Sequence, residues 1–363
     1  MKSWRSNRKL TNLLKVDGRS MGIVLAIIVF SFIVIFHELG HFTLAKLNGI
    51  QVDEFCLGLG PTIFGKEIKG TKFSLKLLPF GGACMMGEDD AENLAEGSFN
   101  SKSVWARISV IAAGPVFNFI LAFIMAVILV GFVGYDKPVL SGVTEGYAAE
   151  EAGMQEGDEL LKINNSRIHL WREVSIYNAM HQGESAEITY RRDGETYTVT
   201  LTPKQDEDTG YYYYGVKGPT AQTKANAITA VQYGWYNLEY MVKYTIQCLK
   251  MMVRGQVGIK DMSGPVGVAD MMDTTYKESS SMGAGVVALN FLSIAILLSA
   301  NLGVMNLLPI PALDGGRLVF LLIEAVRRKR VPPEKEGMVH FAGLVALMLL
   351  MVVIMYNDIL KLL

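Results

Sequence analysis

Four long runs of apolar residues divide the chain, at positions 21–36, 108–133, 285–308 and 338–356. Each run approaches the length of about 20 residues that a helix needs to cross about 30 Å of hydrocarbon. The pattern therefore predicts four membrane-spanning helices, and Gly114-Pro115 interrupts the apolar run of the second. The first run has the basic flank of a signal peptide, but no small-x-small cleavage motif follows it, which favours a retained span.

The segment between the second and third runs has the character of a soluble domain. Around Asp193-Gly194, residues of high β-propensity alternate on both sides of a turn dipeptide, which predicts a β-hairpin. Upstream, a stretch of small residues before Gly157-Asp158 predicts a short helix followed by a strand. This order of elements occurs once, so positions 138–218 are predicted to form a single inserted domain.

A further helix is predicted at 225–254, where apolar residues recur in alternating steps of three and four. The stripe consists of Ile228, Val231, Trp235, Leu238, Val242, Thr245, Leu249 and Met252. Glu239, Lys243 and Lys250 lie off the stripe, and such charges would be costly at the centre of a bilayer. A fifth span is therefore disfavoured. Two interpretations stay open: an amphipathic helix on the membrane surface, or a helix packed on the soluble domain.

Composition favours an integral membrane protein with a soluble insert. Of the 363 residues, 50% are hydrophobic and 19% are charged, whereas typical globular proteins have about 25% charged residues. The mean hydropathy is +0.28. A net charge of −1 gives no indication of a nucleic-acid partner. The cysteines Cys56, Cys84 and Cys248 form no CxxC pair, which excludes a disulfide scaffold and a cysteine-based zinc site.

The first apolar run leads into an HExxH motif, His37-Glu38-Leu39-Gly40-His41. Residues four apart lie on one face of a helix, so both imidazoles can reach one metal ion. The intervening Glu38 is then placed to take a proton from water at the metal. Ionisable groups at the end of a membrane span are costly and for that reason usually functional. The motif therefore predicts a catalytic zinc site.

A catalytic zinc site usually has three protein ligands, so a third is expected. Asp314 is the foremost candidate, because it ends the third apolar run, where a lone carboxylate is expensive unless it binds a metal or is paired. A helix cap is the alternative role for Asp314. The other acids and histidines are less suited, since they follow a glycine-rich loop or stand isolated: Glu88, Asp89, Asp90, His169, His181 and His340.

With these residues in place, the chain resembles the site-2 protease family, in particular the bacterial RseP-type regulated intramembrane zinc metalloproteases of the peptidase M50 type. The resemblance covers nearly the whole chain beyond residue 21. The matching segments, in the family's order, are HELGH at 37–41, PFGGACMMGEDD at 79–90, FNSKSVWARISVIAAGPVFNF at 99–119, SGPVGVA at 263–269 and NLGVMNLLPIPALDGG at 301–316.

The resemblance implies a role for each site residue. It makes His37, His41 and Asp314 the ligands of one Zn²⁺ ion and Glu38 the catalytic base. It assigns Asn306 to holding substrate backbone near the metal.

The resemblance also implies two features of the fold. The loop around Phe80, Gly81 and Gly82 is similar to the family's membrane re-entrant β-hairpin, which binds substrate. Residues 138–218 look like one extracytoplasmic PDZ domain, where many relatives carry two in tandem. Cys84-Met85-Met86 also departs from the family pattern, in which an aromatic and a basic residue are commoner.

The expected fold is a polytopic α-helical membrane protein with about four transmembrane helices, a re-entrant β-hairpin and one inserted PDZ (α+β) domain. The expected divisions are a basic tail at 1–20, two spans with the HExxH motif and hairpin at 21–137, the PDZ domain at 138–218, an amphipathic helix and linker at 219–282, and two spans with the LDG motif at 283–363.

The expected activity is zinc-dependent endoproteolysis within the membrane segments of single-span proteins. The expected substrates are anti-sigma-factor stubs, remnant signal peptides or both. For anti-sigma-factor stubs, an upstream site-1 type protease that makes the first cut is the expected partner. Two alternatives remain, a non-catalytic PDZ membrane adaptor and a membrane zinc transporter. A transporter would be expected to show more ionisable residues within its spans, and usually internal repeats.

Charge gives conflicting indications of topology. The tail at 1–20 holds six basic residues and one acid, and Arg327-Arg328-Lys329-Arg330 precedes the fourth span. Each cluster alone predicts a cytoplasmic location, but four spans place the two clusters on opposite faces. The resemblance implies a bacterial inner-membrane protein with the active site towards the cytoplasm and the PDZ domain outside, so the tail breaks the rule. Translation starting at Met21 would remove the conflict.

Overall fold

The computed structural model of the protein describes residues 18–87 and 95–362. Most of the basic tail assigned to 1–20 lies outside this part of the chain, as do the acids Glu88, Asp89 and Asp90. The described residues form two compact units. One comprises residues 123–244, and the other comprises the described residues before 123 and after 244.

Nine α-helices occur in the described part of the chain. They are α1 (Gly18–Leu47), α2 (Val104–Val133), α3 (Ala148–Glu151), α4 (Trp171–Met180), α5 (Ala227–Val253), α6 (Pro265–Ser280), α7 (Ala284–Leu307), α8 (Asp314–Arg327) and α9 (Pro333–Leu362). The strands are β1 (Glu54–Ile68), β2 (Thr71–Met85), β3 (Gly142–Val143), β4 (Glu159–Ile163), β5 (Ser166–Arg167), β6 (Ala186–Arg192), β7 (Glu195–Leu201), β8 (Lys204–Gln205), β9 (Tyr212–Tyr213) and β10 (Val216–Lys217).

Four helices are long and apolar enough to cross a membrane, at Met21–Leu47, Val104–Val133, Ala284–Leu307 and Glu334–Lys361. The four helices predicted from the apolar runs are thereby confirmed. Helix α2 continues through Gly114-Pro115, the pair that interrupts the second apolar run. A proline removes one backbone hydrogen bond, and membrane helices tolerate that loss when neighbouring groups take its place.

The hairpin β1–β2 is folded back on itself. Residues 54–57 are paired on one side with 72–75 and on the other with 82–85, while 62–68 pair with 71–76. Large apolar side chains remain exposed on it, including Leu59, Ile63, Phe64, Leu77 and Leu78. This surface is unusual for a hairpin in water, because large exposed apolar patches normally meet a partner or lipid.

The unit at 123–244 contains a four-stranded sheet in the order β5-β4-β6-β7. Its core is built from aliphatic and tyrosine side chains, among them Leu160, Ile163, Ile188 and Tyr190. Asp193 and Gly194 both have positive φ, 51° and 86°, in the turn between β6 and β7, as two-residue hairpins prefer.

The chain enters and leaves the inserted domain at one point. The backbone N–H of Tyr135 donates to the carbonyl of Thr223 at 3.0 Å, and the N–H of Thr223 donates back to Tyr135 at 2.8 Å. Asp136, next in the chain, accepts from the backbone and the guanidinium of Arg172. The insert is therefore closed at its base by a two-residue antiparallel bridge.

Helix α5 packs an aromatic face on the inserted domain. Tyr233 stacks on Tyr135, Tyr236 stacks on His169, and Lys243 lies 3.6 Å from Glu173. On the apolar stripe, Trp235 is 57% exposed, whereas Leu238 is buried. One face of this helix therefore packs on protein, and part of the apolar stripe is exposed; a position on the membrane surface stays a prediction.

The SGPVG segment meets the last span through a carboxylate. Oδ2 of the buried Asp358 accepts hydrogen bonds from the backbone N–H groups of Gly264 and Gly267, at 2.9 and 2.8 Å. A side chain added at Gly264 would collide with Ile354. The two glycines therefore let the start of α6, which lies in a region expected to be linker, approach α9 closely.

Candidate metal centre

Three atoms that can bind a metal ion converge beside the first span. Nε2 of His37 and Nε2 of His41 lie 3.2 Å apart, and Oδ2 of Asp314 lies 3.2 and 3.4 Å from them. Both histidines are buried, and Asp314 is half-buried at the start of α8. No second group of this kind occurs among the residues that the structure describes. The HExxH motif and the LDG motif thus come together.

His41 is held in the orientation that a metal ligand needs. Its Nδ1 lies 2.9 Å from the carbonyl oxygen of Val110 on α2. A carbonyl can only accept a hydrogen bond, so Nδ1 carries the proton and Nε2 keeps a lone pair. That lone pair faces His37 and Asp314. Such an outer hydrogen bond fixes the tautomer of metal-ligating histidines.

His37 has an equivalent neighbour, Asn118, which is fully buried on α2. The Asn118 amide lies 3.0 Å from His37 Nδ1 through its nitrogen, and its Oδ1 has no hydrogen-bond partner among the described residues. A half-turn of the amide places Oδ1 against the Nδ1–H of His37 and leaves Nε2 to face the cluster. Asn118 was not among the site residues predicted from the sequence, although it lies in the matching segment at 99–119.

Asp314 lies in an environment that suits a carboxylate bound to a cation. Its Oδ2 is buried and receives no well-aligned hydrogen bond from a described residue. Two imidazole nitrogens and one carboxylate oxygen are a known ligand set for catalytic zinc. The residues present therefore fit a zinc ion.

Gly114 on α2 leaves the space that the two imidazoles occupy. A Cβ atom at this position would lie 2.3 Å from His41 Nε2 and 2.7 Å from His37 Cε1. Gly40 faces the same helix, since a Cβ there would lie 2.4 Å from the carbonyl oxygen of Ala113. In the sequence Gly114 only interrupts an apolar run, whereas the structure gives it a role in packing the site.

We expect Gly114→Ala to lower the zinc content of the purified protein by more than half, because the added methyl group displaces both imidazoles. Metal analysis of protein in detergent measures this loss. Gly131→Ala is the matched control, because Gly131 lies on the same helix and nothing comes within 4 Å of its added Cβ. Equal zinc content in the two variants would contradict the packing role of Gly114.

Glu38 is contacted by the hairpin. It accepts a hydrogen bond from the backbone of Cys84, and a Cβ at Gly82 would lie 3.0 Å from Glu38 Cγ. Gly81 adopts a positive φ of 79° one residue before that contact, and Phe80 lies in the same strand. Gly82 is therefore placed against Glu38.

The loop before Asp314 is tightly folded. A Cβ at Gly315 would lie 2.1 Å from the carbonyl oxygen of Leu308, so a larger residue cannot be accommodated. The backbone N–H of Ala312 donates to Nδ1 of His340 at 2.9 Å. His340 thus supports the segment that carries Asp314. Asn306 lies half-buried in the last turn of α7.

The remaining histidines belong to the inserted domain. His169 stacks on Tyr236, and Nδ1 of His181 lies 2.9 Å from the carbonyl oxygen of Tyr177. Neither belongs to a group of potential ligands among the described residues.

Comparison with known proteins gives a consistent result. The model of peptidase family M50 matches residues 25–350. A protein of Clostridium acetobutylicum, whose name describes a zinc metalloprotease, is 36% identical over 338 residues, covering 93% of this chain and 97% of its own. The regulator of sigma-W protease RasP of Bacillus subtilis is 33% identical, covering 94% of this chain and 98% of its own. A PDZ domain from Listeria monocytogenes aligns with 24% of this chain and 90% of its own, at 17% identity and a TM-score of 0.21, too low to establish a shared fold.

Proposed function

Because this chain belongs to peptidase family M50 and is a zinc metallopeptidase, we propose that it cuts single-span proteins within their membrane segments. The observation that carries the proposal is the position of the HExxH motif. His37, Glu38 and His41 lie inside Met21–Leu47, a helix apolar enough to cross a membrane. A soluble substrate would have little access to a centre built into such a helix, whereas a membrane segment can approach it laterally.

His37, His41 and Asp314 are the residues that would hold the zinc ion. When bound, zinc would polarise the peptide carbonyl and lower the pKa of water, so that water can act as the nucleophile at neutral pH. Asn118 and Val110 orient the two imidazoles, so the ligands are held in place before the ion arrives. Glu38, between the two histidines on the same helix, takes the proton of the attacking water and returns it to the leaving nitrogen.

A helical substrate must unwind before it can be cut, since its carbonyl groups are hydrogen-bonded within the helix. We infer that residues 82–85 receive the unwound segment as an added strand. The carbonyl oxygen of Met85 accepts a hydrogen bond from the backbone N–H of Asp53, at the edge of the strand that faces residues 54–57. The backbone N–H of Cys84 donates instead to Glu38. Alternate backbone groups of a strand point to opposite edges. The edge that carries the Cys84 N–H therefore faces the catalytic base. Asn306 would hold the same substrate backbone from the other side.

The proposal is tested by cleavage of tagged single-span proteins reconstituted with the enzyme in lipid vesicles. An anti-sigma-factor stub is the first substrate to use, because the Bacillus subtilis relative is named as a regulator of sigma-W protease; remnant signal peptides are the second. We expect zinc-dependent cuts inside the apolar segment, located by mass spectrometry of the fragments. Cuts confined to the residues outside the membrane would reject intramembrane cleavage.

The chain is a bacterial membrane protein, and we infer that its metal centre lies towards the cytoplasm. The cluster Arg327-Arg328-Lys329-Arg330 follows α8, and short loops rich in arginine and lysine stay on the cytoplasmic side. With four spans, the insert at 138–218 is then outside the cell. Accessibility of single cysteines introduced at Lys329 and at Glu195 measures this orientation, and labelling of both from the same side would contradict it.

We infer that residues 138–218 form a PDZ-type domain that filters substrates by size, admitting stubs already trimmed by an upstream site-1 type protease. The domain carries none of the residues proposed for catalysis, and its base is closed by the Tyr135–Thr223 bridge. A bulky ectodomain attached to the substrate would meet this domain on the same side of the membrane.

Deletion of residues 138–218, with a short glycine-serine linker across the Tyr135–Thr223 bridge, should raise cleavage of an untrimmed substrate at least tenfold. Cleavage of a pre-trimmed stub should stay within about twofold, because the catalytic residues are untouched. Initial rates on the two substrates measure the effect, and the same deletion combined with Glu38→Gln supplies the background. Unchanged discrimination between the two substrates would argue against a filter.

A further inference from the structure

A cavity of about 220 Å³ lies between the start of α2, helix α8 and the start of α9. It is lined by three arginines, Arg107, Arg317 and Arg330, and by two glutamates, Glu324 and Glu336. With His340 neutral, three guanidinium groups against two carboxylates leave one formal positive charge. A water molecule occupies about 30 Å³ in the liquid, so the cavity has room for a small polyatomic anion.

The arginines are held in place by the protein. Arg107 is 4% exposed, and its Nη2 lies 2.5 Å from Oε1 of Glu324. Its Nε has no hydrogen-bond partner among the described residues. Arg330 donates to the carbonyl of Asn100, and its Nε lies 3.5 Å from the same Glu324 oxygen. One glutamate is thus shared between two arginines, which leaves their positive charge only partly compensated.

We propose that this cavity binds the phosphate group of an anionic membrane lipid. A phosphodiester carries one negative charge, which matches the excess charge of the cavity. Basic pockets between membrane helices on the cytoplasmic side bind phospholipid headgroups, and the basic cluster at 327–330 adjoins this one.

The cavity also has apolar walls. Ile111 on α2 and Phe320 and Leu321 on α8 line it together with the arginines. A free phosphate ion would satisfy the arginines but would leave these apolar side chains without a matching contact, whereas a phospholipid headgroup carries its phosphate next to glycerol and acyl carbons. The combination of charged and apolar lining therefore favours a lipid over a soluble anion.

The bound headgroup would connect α2 with the helix of the third zinc ligand. Arg107 belongs to α2, while Arg317 lies on α8 within one turn of Asp314. A phosphate between them ties the helix that orients the histidines to the helix that begins with Asp314. The lipid is therefore expected to stabilise the metal-binding arrangement without touching the metal.

The test measures unfolding temperature and lipid binding of the full chain in a neutral detergent. Phosphatidylglycerol, phosphatidylcholine and inorganic phosphate are added separately, and retained lipid is counted by native mass spectrometry. For the wild type we expect one retained phosphatidylglycerol and a higher unfolding temperature, with no such effect of phosphatidylcholine. If inorganic phosphate stabilised the protein and phosphatidylglycerol did not, the cavity would be a phosphate site and the proposed lipid ligand would be rejected. Absence of any effect of either anion would overturn the proposal.

Variants locate the site. Arg317→Gln and Arg330→Gln should each weaken phosphatidylglycerol binding at least about fivefold, the effect of one basic residue near an anionic lipid. Arg107→Gln is avoided, because it would leave Glu324 without its buried partner. Arg327→Gln and Lys329→Gln are the matched controls, since both residues are exposed, carry the same charge and do not line the cavity. Equal weakening in the controls would show a general surface attraction and overturn the site.

Discussion

Glu38→Gln is expected to lower the rate of substrate cleavage by at least about a hundredfold, the usual contribution of a positioned general base. Glutamine has nearly the shape of glutamate and can hydrogen-bond with the Cys84 backbone, but it cannot take a proton from water. The three proposed zinc ligands are unchanged. The protein should therefore keep its zinc and its unfolding temperature while it loses activity, as measured by fragment yield, metal analysis and thermal unfolding.

The matched control for this variant is Glu67→Gln. Glu67 is exposed on the hairpin strand β1, and the substitution makes the same change in charge. It should leave cleavage within about twofold of the wild type. If Glu38→Gln cut its substrates at the wild-type rate, Glu38 would not be the base, and the proposed mechanism would have to be abandoned.

Asp314→Ala is expected to weaken zinc binding more than tenfold, because even residues that merely orient zinc ligands contribute about 10–100-fold. The substitution removes the one anionic oxygen donor of the three-residue cluster and leaves two neutral imidazoles as the remaining proposed ligands. Zinc stoichiometry after dialysis against a weak chelator measures the loss. Cleavage should fall in parallel with the bound zinc, and added zinc should restore part of it.

Asp270→Ala provides the comparison for Asp314→Ala. Asp270 is an exposed acid on α6, so its loss should change neither zinc content nor cleavage. Size-exclusion chromatography separates loss of metal from loss of fold. A well-folded Asp314→Ala protein with unchanged zinc stoichiometry would reject Asp314 as a ligand and restore the helix cap as its role.

The membrane helices were predictable because lipid imposes a simple rule on sequence. Every residue of a span must be acceptable to hydrocarbon, so the run of apolar residues is nearly as long as the helix itself. The proximity of His37 and His41 was also predictable, because helix geometry alone places residues four positions apart next to each other. Asp314 could be selected as a candidate by the cost of a carboxylate at the end of an apolar run.

Other parts of the site depend on contacts between distant segments, which local patterns do not contain. Gly114 is needed because two imidazoles from another helix fill the space above it. Asn118 and Gly82 contact His37 and Glu38 across separate elements. In the local pattern, Gly114-Pro115 stands out only as an interruption of an apolar run, and the contact of Gly114 with both imidazoles is not visible there.

The helix at 225–254 shows the same limit in another form. Its apolar periodicity identified the helix but not the neighbours of each face. Tyrosines flank the stripe, and three aromatic or charged contacts join that flank to the inserted domain. A stripe counted from apolar residues alone misses a binding face made of tyrosines, whose rings are amphipathic.

The bridge between Tyr135 and Thr223 has a consequence for how this architecture can vary. Because the two connecting segments are hydrogen-bonded to each other before the inserted domain begins, a domain of another size can occupy the same attachment point only if its ends lie side by side. It must also present to helix α5 a surface that replaces His169 and Glu173. The bridge therefore restricts the ends of the insert, and α5 restricts one of its faces.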